Sequence, residues 1–122
     1  MSLPGFLLDE HIPHAIVRGL HLREPSVQVF VIGQPGAPAL GTSDPDLLCW
    51  IEEHNCLLVT NNRASIPVHL SNHLAAGRHV PGILVVSRRL SLGDTIEEFF
   101  LIWGASLPDE YQDRIVYLPI SW

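Results

Sequence analysis

Short apolar runs that end in polar residues alternate along this chain with stretches whose apolar residues recur three and four positions apart. Residues 6–8 (Phe-Leu-Leu) read as a first strand that stops abruptly at Asp9-Glu10. Residues 13–22 place Ile16, Val17 and Leu20 on one stripe and read as a helix. Residues 27–32 are rich in β-branched side chains and framed by Pro25 and Gly33, which predicts a second strand. Pro and Gly crowd residues 33–41 and predict the longest irregular connection. Ser43-Asp44-Pro45-Asp46 opens the clearest helix: Ser43 or Asp44 caps it, Pro45 suits its first turn, and Leu47, Leu48, Trp50 and Ile51 form its apolar face as far as about His54.

Residues 57–59 then predict a third strand leading into Thr60-Asn61-Asn62-Arg63, and residues 66–76 a helix. The run Ile83-Leu84-Val85-Val86 is apolar without alternation, as expected of a strand covered on both faces, and residues 82–86 form the fourth strand. A last helix is expected over residues 94–103 and a last strand over 115–118, near a sheet edge because Pro119 stops it. Such strand–helix alternation predicts an α/β fold, a mostly parallel sheet of four or five strands with helices on both faces and ligands beyond the carboxyl ends of the strands.

The length, 122 residues with 47% hydrophobic side chains, suits one domain spanning residues 1–122. Thirteen acids face seven Arg, with no Lys, for a formal charge of −6. General electrostatic capture of a phosphate backbone is therefore weak, and contact with nucleic acid needs a local Arg patch, a metal or a partner's charge. Cys49 and Cys56 stand seven apart and form neither a CxxC zinc pattern nor a disulfide framework; they read as buried thiols. No apolar run approaches the ~20 residues that span a bilayer, and the expected setting is soluble and cytoplasmic, with no membrane partner.

The chemistry concentrates on one rim. Asp9 and Glu10 follow the first strand, Asp44 and Asp46 begin the long helix, and Asn61-Asn62-Arg63 follow the third strand. Carboxylates converging there suit a hard cation, Mg²⁺ or Mn²⁺. Plain structural roles are also open to them: Asp44 or Asp46 as a helix cap, Glu10 as a solvated first-turn residue, Asp9 as a carboxylate bonded to nearby backbone. Seven His residues invite a zinc reading, yet none has HExxH spacing; His69 and His73 read as solvated helix residues, and His11 has a lesser claim on the acidic mouth. The glycines have neither P-loop nor dinucleotide-binding spacing.

Three stretches, Leu7-Leu8-Asp9-Glu10-His11-Ile12-Pro13, Ser43-Asp44-Pro45-Asp46-Leu47-Leu48-Cys49-Trp50-Ile51 and Leu57-Leu58-Val59-Thr60-Asn61-Asn62-Arg63, resemble in order the signatures LLDENLP, SDEEILEWA and LVTNDRDF of short bacterial PIN-like proteins. The apolar run from Pro81 to Val86 resembles the strand that follows them, so the likeness covers roughly residues 5–90. It implies a three-layer α/β/α sandwich and a metal-dependent ribonuclease, in many relatives the toxin half of a toxin–antitoxin pair. By motif match Asp9 and Asp44 would be metal ligands, Glu10 their companion acid and Asp46 a possible substitute ligand. Arg63 would meet phosphate through its two-pronged guanidinium.

The third motif departs from the pattern: Asn62 stands where the family has Asp, and Ala64-Ser65 where it has Asp-Phe. A neutral amide binds a hard cation less well, so the resemblance implies either a weakened nuclease, with Asn62 orienting a water or phosphate oxygen, or a non-catalytic interaction module. Arg88-Arg89 is the one adjacent basic pair and a candidate contact for RNA or an antitoxin. The apolar surplus at Phe99-Phe100-Leu101-Ile102-Trp103 and near Trp122 exceeds one buried stripe and predicts a homodimer or partner interface.

Overall fold

Buried strands and amphipathic helices alternate through the chain, in a computed structural model that describes residues 4–61, 64–87, 89–105 and 110–118. The elements are β1 (Gly5–Leu8), α1 (His14–Arg23), β2 (Val29–Val31), α2 (Asp44–His54), β3 (Cys56–Thr60), α3 (Ile66–Ala75), β4 (Ile83–Val85), α4 (Leu92–Ala105) and β5 (Ile115–Tyr117). All neighbouring strands pair in parallel, in the order β2-β1-β3-β4-β5. Helices cover both faces, giving the expected three-layer α/β/α sandwich, and β5 lies at an edge as Pro119 suggested.

Side-chain alternation divides the core. Phe6, Leu8, Leu57, Val59 and Leu84 face α1 and α4, where they meet Ile16, Leu20, Phe99 and Ile102. Leu7, Leu58 and Ile83 face α2 and α3, against Leu47, Leu48, Ile51, Ile66 and Leu70. Both faces of β1 and β3 are thus apolar, which is why these runs show no polar alternation. Phe6 and Phe99 stack with ring centroids 5.2 Å apart. Gly82, at φ +153°, permits the turn into β4: a Cβ there would lie 2.6 Å from Leu57 Cδ2 and 2.9 Å from the Tyr111 carbonyl oxygen.

The predicted α4 surplus is mostly spent inside the molecule. Phe99 and Ile102 are buried and Phe100 and Trp103 half-buried, because α4 packs against α1 as well as the sheet; Leu101 remains 55% exposed. Trp122 lies outside the described residues. Helix α4 also starts two residues earlier and ends two later than its stripe suggested. Among the described residues no helix is long and apolar enough to cross a membrane.

The connections position the functional rim. From β1 the chain steps outward to β2 over the α1 face. From β2 to β3 and from β3 to β4 it steps the opposite way over the α2/α3 face. Direction and face reverse together, so these three crossovers share one hand. The neighbours β1 and β3 therefore send their following helices to opposite faces, and the crevice above their carboxyl ends is a topological switch point, the usual ligand position in open α/β sheets.

Candidate metal centre

Asp9 is the first residue beyond β1 and sits over that crevice. Register pairs Leu8 with Val59, so Asp9 falls beside Thr60, the last residue of β3, on the α2/α3 side of the sheet. The Asp9 amide donates to the Val59 carbonyl at 2.8 Å, continuing the ladder one step past the strand. Although Asp9 is only 2% exposed, its carboxylate is held: Oδ1 accepts from the His11 amide at 3.0 Å and Oδ2 from the Thr60 hydroxyl at 3.2 Å. These bonds offset part of the cost of burying the group and fix its direction. The Asp9 carbonyl accepts from the Ile12 amide at 3.0 Å, which turns the chain sharply and brings residues 10 and 11 back over the strand end.

That turn creates a close cluster. Asp9, Glu10 and His11 each offer a ligand atom, and these atoms lie within 4.8 Å of one another. His11 Nε2 is 3.9 Å from Glu10 Oε1. Burial is graded from Asp9 inside, through half-buried Glu10, to exposed His11, so the group opens to solvent on one side. Asn61 Nδ2 donates to the His11 carbonyl at 3.4 Å, tying the end of β3 to the acidic turn. Two carboxylates and an imidazole form a donor set able to hold a divalent cation, and the mixed oxygen and nitrogen character favours Mn²⁺ over Mg²⁺.

Asp44 and Asp46 lie on the same rim but outside this close cluster. Ser43 caps α2, its hydroxyl accepting from the Asp46 amide at 3.4 Å, so neither acid is the cap. The Asp44 side chain is nearly covered; Oδ2 accepts from the Ser65 hydroxyl at 2.5 Å and stands 4.0 Å from His69 Nε2, which joins the first turns of α2 and α3. Asp46 points to solvent. Asn62, Arg63 and Arg88 lie outside the described residues, and Arg89 is exposed.

Sequence reasoning gave Thr60 no part and His11 a small one. A Thr ending an otherwise apolar strand was the available signal, since a buried hydroxyl needs a partner. His73 departs from the solvated reading in the other direction: it is 8% exposed and bonded to Glu52, because α3 turns that side toward α2. Both cysteines are free, Cys56 fully buried, with burial pushing its thiol pKa up to about 11.

Comparison with known protein families, with curated proteins and with solved structures returns no match.

Proposed function

We propose that the protein is a divalent-metal-dependent ribonuclease of the PIN-like type, hydrolysing RNA phosphodiesters at the rim above β1 and β3. The observation that carries this reading is the convergence of Asp9, Glu10 and His11 within 4.8 Å at the topological switch point. The order of the three motifs supports it from the sequence. Asp9, Glu10 and His11 would hold the ion, which supplies a more acidic water and offsets charge on the phosphoryl oxygens. Thr60 and the His11 amide keep the Asp9 carboxylate aimed, and Asn61 fixes the turn that carries His11. Asp44, Asp46 and Asn62 would line the substrate side of the rim, and Arg63, Arg88 and Arg89 would meet phosphates.

Asn62 favours a second reading, a PIN-like fold retained as a protein-interaction module. Pairing with an antitoxin or a second copy belongs to either reading; exposed Leu22 and Leu101 on α1 and α4 supply apolar surface for it.

Replacing Asp9 decides between the two functions. Asp9→Asn keeps the side chain's size but removes its charge. It is expected to lower Mn²⁺ affinity by more than about 100-fold, beyond the 10–100-fold typical of losing a group that merely orients a ligand, and to abolish cleavage of a mixed RNA pool. Asn62→Asp is expected to tighten Mn²⁺ binding and raise cleavage. Absence of Mn²⁺ binding in both wild type and Asn62→Asp would leave the interaction module as the surviving function. Undiminished cleavage in EDTA would remove the metal from the reaction.

A further inference from the structure

The last crossover breaks the pattern of the others. From β4 to β5 the chain continues in the direction of the β3-to-β4 step, but α4 lies on the α1 face rather than the α2/α3 face. Its hand is therefore opposite to that of the other three crossovers, an arrangement found in only a few per cent of parallel connections. The consequence is local: among the described residues, no helix follows α3 across β4 and β5 on the α2/α3 side. A cleft of about 180 Å³ opens there, floored by Thr60, Val85, Ile115 and Tyr117 and walled by Ile66 in the first turn of α3.

The cleft adjoins the metal cluster through one residue. Thr60 lines it and also donates to Asp9 Oδ2 at 3.2 Å. At the outer end Tyr117 is 65% exposed, an aromatic side chain standing open on an edge strand. An aliphatic lining with one open aromatic ring and the Thr60 side chain at its inner end suits a flat heterocycle.

Charge narrows the ligand further. A chain of net −6 with seven Arg and no Lys has little to offer a duplex, which presents mainly phosphates and 2′-hydroxyls. Its affinity for RNA must come largely from the bases, and bases are available for stacking where the strand is unpaired. We infer that the cleft beside Thr60 binds one unpaired nucleobase of the RNA, stacked on Tyr117, so that the adjoining phosphodiester lies toward Asp9. The inference rests on the ribonuclease reading for its substrate.

The test is binding of a fluorescent single-stranded RNA hexamer and of an RNA duplex by the full chain in EDTA, with Mn²⁺ titrations of the same proteins alongside. Tyr117→Leu preserves apolar bulk and is expected to weaken hexamer binding about tenfold, the loss of one stacked base, while Tyr117→Phe binds as wild type and all three bind Mn²⁺ equally. The duplex is expected to bind more weakly than the hexamer. Equal hexamer binding by wild type and Tyr117→Leu, or preference for the duplex, overturns the base cleft whatever the metal does. Tyr117-dependent hexamer binding without any Mn²⁺ binding supports the cleft and removes the nuclease.

Discussion

Two clusters of acid and histidine stand at opposite ends of the sheet. At the amino-terminal end, between α2, α3 and the loops entering β4 and β5, Glu52 Oε1 takes Arg78 Nε and His73 Nε2, each at 2.9 Å, and Oε2 takes the His79 amide at 3.5 Å. Asp113 repeats the arrangement beside it, bonded to His79 Nδ1 at 2.7 Å and the Val80 amide at 2.9 Å. At the carboxyl end, Asp9 is oriented by a backbone amide and a hydroxyl, and a second carboxylate and an imidazole are turned toward it. The first cluster joins elements distant in sequence through a guanidinium and imidazoles, so its work is complete within the fold. The second brings two carboxylates and an imidazole within 4.8 Å of one another, a donor set that suits a divalent cation. Similar residue types thus fasten the molecule at one end and form a cluster able to coordinate a metal ion at the other.

The contrast is sharpest when each cluster is broken in turn. His73→Ala removes a buried ring that bonds both Glu52 and the His79 carbonyl, and is expected to cost about 2–3 kcal/mol in urea unfolding while leaving Mn²⁺ affinity unchanged. Asp9→Asn is expected to do the reverse, changing stability by less than about 1 kcal/mol because the amide fits the same space. If His73→Ala also lost the metal, the two ends would be coupled and the division would fail.

Thr60→Val tests the link between strand register and ligand. It keeps the branched shape and removes the bond to Asp9 Oδ2, so Mn²⁺ affinity is expected to fall about 10- to 100-fold in a calorimetric titration, with secondary structure by circular dichroism unchanged. An unaltered affinity would mean that Asp9 is held by other contacts.

The smallest effect is one of pH. Partial burial pushes the Glu52 pKa up, but the His79 amide, the Arg78 charge and the His73 hydrogen bond together outweigh it and hold the group below its ordinary 4.5. A carboxyl with a lowered folded pKa contributes stability that is fully present above 4.5 and lost as pH falls through the lower folded value. Glu52→Gln should therefore be less stable than wild type at pH 6, by under about 1 kcal/mol for a partly exposed group, and the gap should close as pH falls below 4.5 through the lowered folded value. Urea midpoints measured from pH 6 to pH 3 check the sign; a gap that widened in acid would contradict it.

The fold was largely legible because its strands are buried on both faces and announce themselves as unbroken apolar runs, and because Ser43, Pro45 and the stripe from Leu47 to Ile51 mark α2 unambiguously. Asp9 was legible for the same reason: an acid closing an apolar strand has few places to go. What pattern could not convey was which way each helix folds over the sheet. That choice buries Phe99 against Phe6, turns His73 inward to Glu52 and uncovers the cleft beside Tyr117. Each depends on residues more than twenty positions apart, a relation invisible to local periodicity.

The central claim is that Asp9, Glu10 and His11 form a divalent-metal site, and a calorimetric titration of Mn²⁺ into the full chain tests it most directly. The expected result is one saturable site in wild type and His73→Ala, weakened when Mg²⁺ competes and absent in Asp9→Asn. Equal Mn²⁺ binding by wild type and Asp9→Asn, or no binding by wild type, would contradict it.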